Sequence, residues 1–226
     1  MADSNYAFAP RVLGILLSHL GRHEEARASI RRARELDPLS AMNRALSSQI
    51  DFAAGDADGA VRYAREAIII DPEFWIGHLQ LAQAYVELQE YSRALESLTQ
   101  ASRFSGGNSK TLSLRGYLLA RTANSAEALA ILQTLESISR DRYIPPYAMA
   151  LIHIGLGQAD CAFDWLLRAL ETHDVHLIFL TIDPKWNPMR SQSRFKDLIA
   201  RCGFSKQTDG RRSQPLSREG CSHPPY

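Results

Sequence analysis

The sequence predicts an all-α chain, a right-handed solenoid of stacked helical hairpins, and three observations carry that prediction. Small residues recur with a period of 34. Punctuation keeps the same phase, with Gly near the end of one helix of a hairpin and Pro after the next. Between these marks the apolar residues fall three, four and seven apart, which is helical spacing rather than the alternation of a strand.

The period is read by stepping along the chain. From Ala26, steps of 34 reach Ala60, Ala94, Ala128 and Ala162. From Ala33 they reach Ala67, Ala101, Leu135 and Ala169, and from Ile30 they reach Ala64, Leu98, Leu132 and Leu166. The series Gly14, Ser48, Ala82, Gly116, Ala150 is small throughout. The series Gly21, Gly55, Gln89, Ala123, Gly157 is small at every step but one, and Pro38 and Pro72 share a phase that Gly106 continues. Small side chains let helix axes approach to about 8–10 Å, Gly supplies the left-handed turn that stops the first helix, and Pro ends the second. The stretch AREAIIIDPEFW (64–75) tests this reading, because three successive β-branched isoleucines suggest a short buried strand. Phase decides for the helix. Ala64 and Ala67 are packing positions, Pro72 closes the helix, and one or two of Ile68, Ile69 and Ile70 face the following hairpin, which Phe74 and Trp75 begin.

This array resembles the tetratricopeptide (TPR) repeats, whose helix–turn–helix unit carries small, Gly, Ala and Pro signals in this order. Ending each unit two residues past its Pro gives a lead at 1–6 and repeats at 7–40, 41–74, 75–108, 109–142 and 143–176. The first begins almost at once. Its open end exposes apolar residues such as Phe8, Val12 and Ile15, which predicts a covering partner or self-association through the uncapped N-terminal end. The second departs from the family at Asp51, where a large apolar or aromatic residue is favoured. The third, HLQLAQAYVELQEYSRALESLTQAS, is the clearest, whereas the fourth lacks its Gly and its Pro but keeps Gly116 and Ala128 in phase. A pentatricopeptide reading, which would imply RNA as ligand, is disfavoured by the shorter period and the lack of a basic stripe.

Residues 177–204 follow as a capping segment. The apolar run from Leu177 to Ile182 is broken by Asp183-Pro184 and Asn187-Pro188. From about Ser191 a final helix carries Phe195, Leu198, Ile199 and Cys202 on one face, with Gly203 as its stop and Trp186 and Met189 beneath it. It is expected to cover the last apolar face of the solenoid. Asp183, Pro184, Pro188, Arg190, Arg194, Phe195 and Leu198, with PPYAMALIHIGLGQ in the fifth repeat, also resemble the end of TPR regions in bacterial multidomain signalling proteins. Residues 205–226 are polar, rich in Pro, Gly and Ser, and are expected to be a disordered tail.

Composition bounds the function. With 26 basic and 25 acidic side chains the net charge is +1, which gives no general attraction to nucleic acid or to an anionic membrane. No stretch approaches the roughly 20 apolar residues of a spanning helix. Cys161, Cys202 and Cys221 form no CxxC pair, so a reducing cytoplasm is the expected compartment. No cofactor and no enzymatic activity are expected. SGGN at 105–108 lacks the spacing of a phosphate loop, His173 and His176 with Asp174 make only half a metal site, and no His or Asp spacing around Cys161 suggests an activating triad.

The expected function is therefore a non-catalytic scaffold that binds a protein or peptide in the concave groove formed by the first helices. Repeat positions two, five, nine and twelve nominate Arg11, Ile15, Met42, Gln49, Phe52, Leu79, Gln83, Lys110, Tyr117 and Tyr147. These offer apolar anchors and amides for a peptide backbone. The cation set that TPR domains use on acidic chaperone tails is mostly missing, since the matching positions are Arg11, Ile15, Leu46, Ile76 and Gln80. The signalling resemblance implies an alternative, the regulatory or sensory half of a bacterial signalling protein whose output domain (transcription regulator, nucleotide cyclase or kinase) is absent from this chain.

Overall fold

The computed structural model describes residues 5–204, and among them there is no strand. These residues fold as ten α-helices in five antiparallel hairpins, followed by two short 3₁₀ helices and one last α-helix. The hairpins are α1 (Asn5–His19) with α2 (His23–Leu36), α3 (Ala41–Ala53) with α4 (Ala57–Ile70), α5 (Trp75–Glu87) with α6 (Tyr91–Ser105), α7 (Ser109–Arg121) with α8 (Ser125–Ile138), and α9 (Pro146–Gly155) with α10 (Ala159–Glu171). The 3₁₀ helices are Val175–Thr181 and Pro184–Met189, and α11 is Ser193–Arg201. The expected tail, with Cys221, lies outside the described residues.

The 34-residue series lands on the interior. Ala26, Ala60, Ala94, Ala128 and Ala162 are each 0% exposed, and the series through Ala33 is buried as fully. A larger side chain at these points would push the paired helices apart. The turn series is equally regular in backbone conformation: φ is 74° at Gly21, 80° at Gly55, 59° at Gln89, 62° at Ala123 and 75° at Gly157. The left-handed turn is thus kept in the third and fourth hairpins without glycine, at the usual cost to an L-residue of about 1–2 kcal/mol. Side-chain caps start several helices: Ser40, Asp56 and Asn108 accept from the backbone N–H groups of Asn43 (3.2 Å), Gly59 (2.9 Å) and Thr111 (3.0 Å).

Residues 64–70 are helical, and the three isoleucines have different surroundings. Ile68 lies under the next hairpin, where a Cβ on Gly77 would come within 3.2 Å of its Cγ1. Ile69 faces out at 79% exposure. Asp51 has a partner that accounts for its departure from the family pattern. It is buried, and its Oδ1 accepts from Arg27 Nε at 2.7 Å, tying α3 to α2. In the equivalent place of the next hairpin Tyr85 accepts from Arg65 at 2.8 Å.

The stacking changes after α8. α3, α5 and α7 begin 34 residues apart, but α9 begins at Pro146, three residues late, after an extended Pro145 (φ −55°, ψ 124°). Two successive prolines lack backbone N–H groups and hold the preceding residue out of the helical region, so the helix cannot start earlier. α9 then packs on α7 and only lightly on α8. Ile152 presses on Gly116, where a Cβ would stand 2.8 Å from it, and Gly155 lies against Tyr117.

The capping segment divides into two parts, which corrects the expectation that all of it covers the last hairpin. α11 does cover it: Phe195 and Leu198 are buried with Trp186 and Met189, the Trp186 and Phe195 rings stack at 6.4 Å, and Arg194 pairs with Asp160 on α10. The 3₁₀ helices turn back into the concave face. Phe179 meets His19 at the end of α1 edge-on, ring centroids 5.5 Å apart, and Lys185 lies over the Phe52 ring of α3 at 5.0 Å. The periodic repeats could not foretell this, because the path of a segment outside the period depends on the pitch of the whole array. At the N-terminal end Phe8 and Val12 are exposed, and Ile15 is half-buried.

Candidate functional site

The first helices form the concave wall, and the returning 3₁₀ segment roofs it. Between them lies a cleft of about 710 Å³, counted out to its open mouth. Six of the nominated groove residues come together here: Gln49 and Phe52 from α3, Leu79 and Gln83 from α5, Lys110 from α7 and Tyr147 from α9. Four others do not line it. The Arg11 guanidinium lies over the Phe8 ring on its own helix. Met42 is half-buried near the start of α3. Tyr117 packs against Gly155, and its hydroxyl pKa is pushed up to about 12, chiefly by burial. Ile15 packs instead beside the Leu17–Ala26 core.

An amide ladder crosses the floor. Gln83 Nε2 donates to Gln80 Oε1 at 3.3 Å, and Gln80 Nε2 donates to Gln49 Oε1 at 3.5 Å. Among the described hydrogen bonds the ladder leaves Gln49 Nε2 and Gln83 Oε1 unused at its two ends, one donor and one acceptor. Around it stand Phe52, Leu79, Leu114 and Leu151.

The far wall is built by aromatic contacts and one carboxylate. Trp186 Nε1 donates to the Tyr147 hydroxyl at 2.9 Å, and His176 stacks on Tyr147 with centroids 5.8 Å apart. Asp174 fixes both rings. Its Oδ2 accepts from the Tyr147 backbone N–H at 3.0 Å, capping α9, while Oδ1 accepts from the His176 backbone N–H at 3.0 Å and lies 2.7 Å from His176 Nδ1. Burial pushes the Asp174 carboxyl up, but these hydrogen bonds outweigh it and hold the pKa below its ordinary value. The pair Asp174 and His176 thus has a structural task. Among the described residues no three His, Cys, Asp or Glu side chains cluster as a metal site would need.

Two amines reach the cleft. Lys185 is buried and its Nζ lies 2.9 Å from Asp183 Oδ1. Among the described residues no carboxylate pairs with Lys110; its Nζ lies 5.3 Å from the centre of the Phe179 ring, and burial lowers its pKa. The arrangement suits holding an apolar group beside a polar or anionic one. As cleft residues, His176, Phe179, Asp183 and Lys185 escaped the sequence reading. The signal for them was the apolar run past the last repeat, which the period left unassigned.

Two family models described as tetratricopeptide repeat match the chain, over residues 51–109 and 12–38. No curated protein matches its sequence. Several solved structures share the fold. A thermophilic TPR protein of Thermus thermophilus, TTC0263, is 21% identical with a TM-score of 0.62, over 86% of this chain and 99% of that one. The pilF protein of Pseudomonas aeruginosa is 18% identical with a TM-score of 0.55, over 87% and 98%. A chain of the APC/C hetero-tetramer Cut9–Hcn1 is 16% identical with a TM-score of 0.61, over 88% of this chain and 40% of that one. At such identities the likeness speaks to fold alone. With the repeat matched at the level of sequence over 12–38 and 51–109 and the same hairpin stack built throughout α1–α10, the chain carries tetratricopeptide repeats.

Proposed function

We propose that this protein is a non-catalytic scaffold that docks a segment of a protein partner on its concave face, at the cleft. Its repeats, of a kind built for protein contacts, support the scaffold. The observation that carries the docking site is the amide ladder with both ends unused, beside the apolar side chains of Phe52 and Leu79. An extended backbone presents alternating donors and acceptors that such ends can take, and an apolar side chain can seat between the rings. The units proposed for this array are those of the sequence period, 7–40 to 143–176. Cys202 is a free thiol, in keeping with a reducing compartment, and no helix among the described residues is long and apolar enough to cross a membrane.

The test is affinity recovery of partners from the native cell, comparing the natural chain with Gln49→Ala/Gln83→Ala and with Arg11→Ala. The ladder variant is expected to lose a partner that Arg11→Ala keeps. Equal recovery by all three would sink the assignment of the cleft.

A second reading, the regulatory half of a bacterial signalling protein, rests on the ending from Asp183 to Leu198. Here those residues have packing tasks: Asp183 caps the second 3₁₀ helix at Lys185 (3.0 Å), and Arg190 donates to the carbonyls of Thr181 (2.6 Å) and Asp183 (3.2 Å). That supports a shared way of closing the array. An output-domain reading frame beside the gene would favour this reading, and its absence would leave the scaffold.

A further inference from the structure

We propose that the roofed cleft is also a site for a small amphipathic monocarboxylate, an acyl or aryl chain ending in one carboxylate. Shape is the first reason, and it holds with or without a protein partner. The 3₁₀ segment from His176 to Lys185 covers the concave face opposite α5, α7 and α9, so the space beneath has a roof as well as a floor and can take a compact guest. Its lining is of the kind usual for small-molecule sites, apolar with a few convergent polar groups.

Charge selects the class of guest. The cleft holds two amines, Lys110 and Lys185, against one carboxylate, Asp183. Asp183 Oδ1 is already engaged by Lys185 Nζ at 2.9 Å and by the Lys185 backbone N–H at 3.0 Å. His176 is held by Asp174, which leaves the Lys110 amine as the unmatched charge. Its contact in this structure is the face of Phe179, a weaker neighbour for an ammonium than an anion in a site shielded from water. A carboxylate beside Lys110 brings the cleft to neutrality, and a dianion or a cation does not. Gln49 Nε2 adds a second donor, and the Tyr147 hydroxyl, which accepts from Trp186, keeps its own proton to give. The chain of the guest would lie along Phe52, Leu79, Leu114 and Leu151.

The experiment compares three probes of one length on the whole protein by calorimetric titration at neutral pH: octanoate, octanol and octylammonium. Octanoate is expected to bind at one site, at least tenfold more tightly than either of the others, and to raise the melting temperature. Lys110→Met, checked for helix content, is expected to bind octanoate no better than octanol, while Lys110→Arg keeps the preference. Three probes binding alike, no binding of octanoate, or an anion preference that survives Lys110→Met would each overturn the proposal. The comparison of probes on the natural chain decides even if a variant fails to fold. Because it uses no partner, a negative result leaves the docking of a protein segment standing, and failed partner recovery leaves this site standing.

Discussion

From α3 to α7 each hairpin lies on the second helix of the one before it, whereas α9 passes over α8 and lies on α7. The first arrangement is carried by small residues in strict phase. Ala60, Ala94 and Gly77 let backbones come close. The second is carried by bulk: Trp186, Tyr147, Phe195 and Met149 belong to the largest buried cluster, while α8 keeps Leu129 41% exposed. What separates the two is the proline pair at 145–146, which delays α9 and lets it slide along the groove. That slide is also what puts Tyr147 beside the roof. The regular part makes a wall, and the irregular part makes the enclosure.

The sharpest way to break this contrast is Trp186→Ala. It removes a fully buried ring with its bond to Tyr147 and its stack on Phe195, at an expected cost of about 3–5 kcal/mol. Hydrogen exchange should show protection lost over α9–α11 while α3–α6 stay protected; uniform loss would mean that the two parts fold as one unit. Next in size is Asp51→Ala, which takes from Arg27 the buried one of its three carboxylate neighbours in the regular part. The loss of a charge-assisted bond predicts about 1.5–3 kcal/mol in urea denaturation, with the change confined to α1–α4.

A paired glycine test follows. Gly155→Ala drives a Cβ to 2.9 Å from the Tyr117 backbone oxygen and should cost about 1–3 kcal/mol, as overpacking does. Gly77→Ala meets the Ile68 side chain at 3.2 Å, with Ala67 Cβ at 3.4 Å and the Ile68 backbone nitrogen at 3.6 Å in ordinary contact, and gains about 1 kcal/mol in helix propensity, so it should come out near neutral. Equal costs would erase the distinction between rigid and yielding contacts.

Acid should loosen the irregular part first. The Asp174 carboxyl is held below its ordinary pKa in the folded chain, so its contribution is present above about 3.9, the unfolded value, and is lost as pH falls through the folded one. Near-ultraviolet dichroism of the Tyr147–Trp186 pair should therefore change on acidification before far-ultraviolet helicity does, and Asp174→Asn should abolish that early step. A small gain is expected at the turns. Ala123→Gly relieves a left-handed alanine at φ 62° and should stabilise by about 0.5–1 kcal/mol.

The fold was legible because its rules are local and repeated. A buried Ala26 forces a buried Ala60 for the same steric reason, whereas the left-handed turn at Ala123 keeps the phase but was not legible, because alanine gives no sign of it. Asp51 was legible as an exception but not as a partner of Arg27, since that pairing joins positions 24 residues apart on different helices. The cleft was legible in part. Gln49, Gln83 and Lys110 hold groove positions that periodicity can count, while Tyr117 was carried away from the cleft by the shifted register of α9. Phe179 and Lys185 lie beyond the repeats, where no period applies.

The contact between His19 and Phe179 joins the first hairpin to the segment after the last one. A stack of hairpins with free ends behaves like a coil spring, lengthening by small equal strains at every turn. Fastened end to end it loses that compliance, and any stretch concentrates at the fastening. Entry to the interior then depends on lifting one short strap, a discrete step, and pulling on the two ends of this protein should meet a stiff response that gives way at His19 before the coil extends.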